Sequence, residues 1–78
     1  MNIIMAWRER IEINPKILVG KPIIKGTRIS VELVIELLAQ GWTNGEILKN
    51  YPQLKKEDIS AALEYSVNSL KLETVELL

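Results

Sequence analysis

The 78-residue chain contains no cysteine and no histidine. Without cysteine it can form neither a disulfide framework nor a thiolate metal site, and nothing ties it to an oxidising compartment. Without histidine, most nucleophile–base dyads and zinc sites are excluded, which leaves carboxylates, lysines and hydroxyls as the available catalytic groups. The expectation is a protein without enzymatic activity, metal, cofactor or small-molecule substrate. Aromatic residues make up only 5%, with no phenylalanine. Long apolar runs are also missing. The opening "MNIIMAW" is too short for a signal h-region and is followed by the charged "RERIE", so it reads as neither leader nor membrane span. A cytoplasmic location is expected.

What is present is apolar and unevenly charged. Hydrophobic residues make up 47% of the chain, more than a domain this small can bury, so some apolar surface is expected to meet a partner. A homodimer formed through unpaired strand edges is the most economical arrangement. Formal charge sums to zero, yet residues 1–30 carry six Lys/Arg against two Glu, and residues 31–78 carry four Lys against eight Asp/Glu. A basic end suited to phosphate thus adjoins an acidic end suited to a cationic partner.

The hydrophobic pattern divides one domain, 1–78, into three parts. Over 11–29 the pattern is short and extended: "RIEIN" alternates charge and isoleucine, "NP" turns the chain, and "PIIKGTRI" places two apolar pieces around Lys25-Gly26. Two or three short strands are expected. Over 30–70 the period changes to that of helices. The first helix, 31–40, has Leu33, Val34, Leu37 and Leu38 on one stripe, Ser30 as N-cap and Gly41 as the C′ residue. The second, 44–50, opens with a capping box from Thr43 and Glu46 and is stopped by Pro52. The third begins at Lys56, with Ile59, Ala62, Leu63, Val67 and Leu70 on its buried face and Glu57, Ser60, Glu64, Asn68 and Lys71 outside. Trp42 and Tyr51, flanking the second helix, read as core. The tail, 71–78, either extends the third helix or waits for a partner.

The stretch "GKPIIKGTR", Gly20 to Arg28, resembles a phosphate-binding loop only superficially. A P-loop needs G-x-x-x-x-G-K-[ST] with amides converging on the phosphate. Here Pro22 lacks an amide proton, and Gly26 is followed by Thr27-Arg28. Two readings remain: a tight turn with Gly26 at positive φ, or a basic hairpin presenting Lys21, Lys25 and Arg28 to a nucleic-acid backbone. The three helices form a cluster of helix-turn-helix type, with "YPQLK" as the turn. In that geometry Lys55 and Lys56 would meet phosphate, and Ser60, Glu64 and Asn68 would face bases or backbone. Glu57, Asp58 and Glu64 argue against it by repelling phosphate, leaving a trihelical core used for protein contacts. Paired carboxylates such as Glu57-Asp58 read as helix surface.

The blocks "GKPIIKGTRISV" and "GWTNGEILKNYPQLKKEDISAALEY" resemble the prokaryotic family known as domain of unknown function 433, over roughly Trp7 to Ser66. The matching positions are Gly20, Lys21, Pro22, Gly26, Thr27, Arg28 and Ile29, then Tyr51, Pro52, Leu54, Asp58, Ile59 and Leu63. The resemblance implies a mostly α fold: short N-terminal β-strands followed by a three-helix, homeodomain-like helix-turn-helix bundle. It further implies kinship with VapB-like antitoxins of type II toxin–antitoxin systems. Such a protein would bind and neutralise a PIN-like ribonuclease encoded beside it and repress its own operon by binding operator DNA. The alternative is an interaction module that never touches DNA. Family members place Thr or Ser where this chain has Lys55, so the third helix is expected to lack a side-chain N-cap.

Overall fold

A computed structural model describes residues 7–77, with side chains through Lys71; the opening "MNIIMA" lies outside the described residues. Strand β1 (Ile11–Ile13) pairs antiparallel with β2 (Pro22–Ile24), and helices α1 (Val31–Ala39), α2 (Asn44–Asn50) and α3 (Lys56–Leu77) follow. The fold is mostly α, with a two-stranded sheet ahead of a trihelical helix-turn-helix arrangement.

Local chemistry explains the element borders. Asn14 and Pro15 start the β1–β2 connection: the Asn14 side chain accepts from the Lys16 amide at 2.9 Å, and its carbonyl accepts from Ile17 at 2.9 Å. The register Ile11↔Ile24, Glu12↔Ile23, Ile13↔Pro22 places proline at the end of the ladder, where its missing donor costs least. Ile11 is buried, but Ile13, at that end of the sheet, stays 59% exposed. A third strand does not form. Instead, a single bridge joins Ile23 to Ser30, and Gly26 takes φ +81° in the intervening turn. The Thr27 hydroxyl locks that turn, donating to the Ile24 carbonyl at 2.8 Å and accepting from the Ile29 amide at 2.9 Å.

Ser30 caps α1 by accepting from the Leu33 amide at 2.9 Å. Gly41, at φ +96°, closes its other end in a Schellman motif: the Gly41 and Trp42 amides bond the Leu38 and Leu37 carbonyls, each at 3.0 Å. Both halves of the Thr43–Glu46 capping box at the start of α2 are formed, at 2.8 and 3.1 Å. Pro52 follows the α2 C-cap Tyr51, whose φ −127° and ψ 74° lie outside the helical region. The segment expected as a tail continues α3 through Leu77, and position 78 lies outside the described residues.

The core lies between the three helices and one face of the sheet. It is centred on Ile11, Ile24, Ile29, Val34, Leu37, Ile47, Leu54 and Ile59, with Trp7, Trp42, Tyr51 and Tyr65 packed at its margin. Each fully buried aliphatic side chain contributes about 1.5–3 kcal/mol relative to its exposed state. The expected buried face of α3 needs correction. Ile59 and Ala62 are buried, but so is Ala61, whereas Leu63, Val67 and Leu70 are 45%, 51% and 62% exposed. The helix packs through its small residues, which permit close approach. At 100° per residue the buried face centres between Asp58 and Ala62, which leaves Leu63 at its margin beside Ile59 and puts Val67 on the far side.

Candidate functional site

The residues expected to meet phosphate fall into two groups. Lys25 and Arg28 are both exposed and lie on the turn that follows β2. The Lys25 amide donates to the Arg10 carbonyl at 2.7 Å, which fastens this turn to the segment before β1. Arg10 in turn donates from its guanidinium to Asp58 Oδ1 at 2.9 Å, and Asp58 Oδ2 accepts from the Lys55 amide at 2.8 Å. Arg10 therefore joins the hairpin turn to the first turn of α3. Around it lie Lys25, Lys56 and Ser60, together with Glu9, Glu57 and Glu64. Cations and carboxylates interleave here, so the surface is mixed in sign rather than uniformly basic.

Lys21 and Asn68 stand apart from that surface. Lys21 Nζ pairs with Glu32 Oε1 at 2.8 Å, both side chains being more than half exposed. The hydrogen bond, and after it the charge of Glu32, raises the Lys21 ammonium above its ordinary value, with Glu36 adding to the effect. The same bond, followed by the Lys21 charge, holds the Glu32 carboxyl below its ordinary value. Asn68 is half-buried, three turns along α3 from Lys56.

Asp58 was expected to repel phosphate; instead it is buried and consumed by Arg10 and the Lys55 amide. Lys55 occupies the N-cap position but supplies no side-chain cap, so only half of a capping box is formed. Among the signature positions, Ile29, Leu54, Asp58 and Ile59 are buried and Tyr51 is half-buried, while Gly20 and Gly26 have positive φ. Leu63 departs from expectation by facing solvent.

Two features escaped the sequence reading. Nothing local links Arg10 to Asp58, which lie 48 positions apart. Nor does any turn signal mark Leu18 and Val19, which adopt left-handed conformations at φ +50° and +56° in a 3-10 turn spanning Leu18–Gly20. A β-branched residue there is strained, and Val19 is also 95% exposed. Leu18 and Val19 form an exposed apolar knuckle on the connection that leaves the sheet after the exposed Ile13. Lys21, Ser30, Glu32 and Glu36 adjoin its tip.

Among the described residues, no cluster of three or more Asp or Glu is arranged to hold a metal, and no helix is long and apolar enough to cross a membrane. The arrangement is that of a small strand-and-three-helix domain, with exposed surfaces of distinct character at the knuckle and around Arg10. The chain belongs to the family described as protein of unknown function (DUF433), which it matches over residues 11–66. It is similar to the crystal structure of a DUF433 member protein from Anabaena variabilis ATCC 29413. The TM-score is 0.77 at 33% identity, over 96% of this chain and 74% of that one. No curated protein matches the chain.

Proposed function

We propose that the chain is an antitoxin-like binding protein. It docks on and neutralises a PIN-like ribonuclease through the knuckle at Leu18 and Val19, and it contacts operator DNA through Lys25 and Arg28. The observation that carries the reading is Val19. A left-handed conformation costs a non-glycine residue about 1–2 kcal/mol, and an almost fully exposed valine gains nothing from burial in return. Strain of this kind clusters at active sites, ligand clamps and switch regions. Glu32 and Glu36 beside the knuckle suit a cationic rim on that partner. The resemblance to VapB-like antitoxins supplies the partner's class.

A second reading, a protein-binding module without DNA, is favoured by the carboxylates interleaved around Arg10. Co-expression with the product of the adjacent gene, followed by binding of the purified protein to its upstream DNA at two salt concentrations, separates the two. The antitoxin reading expects co-purification of a ribonuclease and salt-sensitive DNA binding. Lys25→Ala and Arg28→Ala should each flatten the logarithmic salt slope by about 0.9 for each phosphate left without its cation. Co-purification without DNA binding leaves the second reading, and the absence of both overturns both readings.

A further inference from the structure

One flank of α3 carries an apolar repeat that stays largely exposed. Ser60, Leu63, Val67 and Leu70 are spaced three and four residues apart, and the sequence continues that spacing at Thr74 and Leu77. This is the a/d pattern of a two-helix seam, with Leu at every d position from Leu63 onward. On a domain helix the stripe would normally face the core. Here the core is met by Ile59, Ala61 and Ala62, and Leu63 and Val67 are about half exposed. Glu64 and Lys71, seven residues apart, border the stripe on one flank, and neither forms an ion pair among the described residues.

We infer that α3 pairs with α3 of a second copy in antiparallel orientation, and that the protein is a dimer through this helix rather than through its strand edges. Charge fixes both the direction and the register. Setting Val67 against Leu70 of the second copy brings Glu64 of each chain opposite Lys71 of the other, giving two symmetric ion pairs from one two-fold axis. A parallel pair forms neither, because Glu64 would then face the buried Ile59 position and Lys71 would face Ser66. At 100° per residue each core lies about 130° around its own α3 from the seam, broadly away from the partner helix, which leaves room for the usual interaxial distance of about 8–10 Å. The inference does not depend on the nature of any toxin or operator.

Native cysteine is absent, so cross-linking reads the geometry without background. Single-cysteine variants Val67→Cys and Leu70→Cys are mixed and oxidised. The antiparallel seam predicts that the mixed disulfide dominates, whereas dominance of the two like-with-like disulfides would overturn it. In sedimentation equilibrium, Glu64→Lys and Lys71→Glu should each weaken the dimer roughly tenfold, by replacing both attractive pairs with repulsive ones. The double variant should recover it. A monomer at every concentration, or a dimer indifferent to the charge swaps, contradicts the inference. Circular dichroism of each variant confirms that the fold is kept.

Discussion

Asp58 shows how much one side chain can do in so small a core. It is the one buried charged residue among those described, and it accepts from the Arg10 guanidinium and the Lys55 amide at once. Replacing it by alanine leaves both donors unmatched, and hydrogen bonds of this charge-assisted kind are each worth roughly 1.5–3 kcal/mol. Asp58→Ala is therefore expected to lower unfolding stability by at least about that amount, measured by urea denaturation. Arg10→Ala should cost less, because its guanidinium is partly solvated. Lys21 and Glu32 act in the same manner, but in water. Glu32 has its folded-state value lowered, so its contribution is present above the usual carboxylate range and lost as pH falls through the folded value. Lys21 has its value raised, so its contribution is present below about 10.5 and lost as pH rises through the folded value. The stability difference between wild type and Lys21→Ala is thus expected to be greatest between those limits, to vanish at both extremes, and to shrink with added salt. A difference constant from acid to alkali would show that the pair contributes nothing.

At the scale of elements, the borders are set by short-range chemistry, and for that reason they could be read from the sequence. Ser30, the Thr43–Glu46 box, Gly41 and Pro52 each act within a few residues. The helices they bound begin and end where those residues place them, to within one position at the end of α1. The start of α3 at Lys56 follows the same logic and allows a test. Lys55 supplies only its amide to the cap, so Lys55→Thr should complete the box with Asp58 and raise stability by roughly 0.5–2 kcal/mol. An unchanged or lowered denaturation midpoint would contradict this account of the helix start. What could be read only in part is which side of α3 is buried. Hydrophobicity pointed to Ile59, Ala62, Leu63, Val67 and Leu70, of which Ile59 and Ala62 are buried, while the small Ala61 is buried in place of the three larger residues. The ion pair between Arg10 and Asp58 was hidden for a related reason, since only the completed fold brings them together. The left-handed turn at Leu18 and Val19 had no signal at all, because those residue types favour other conformations.

For the whole molecule, the decisive question is whether the knuckle serves a partner or merely survives as strain. Val19→Gly separates the two effects. Glycine accepts the left-handed conformation freely, so the variant is expected to be more stable by about 1 kcal/mol, reduced by its greater freedom when unfolded. If the valine is kept for binding, the same change should weaken association with the ribonuclease partner proposed above. The measurement that tests this most directly is RNA cleavage by the purified product of the adjacent gene, titrated with this chain and separately with its Val19→Gly variant. The account predicts stoichiometric loss of cleavage with the wild-type chain and a right-shifted or absent loss with the more stable variant. Cleavage that persists undiminished with the wild-type chain in excess, or that both proteins suppress equally, would contradict it.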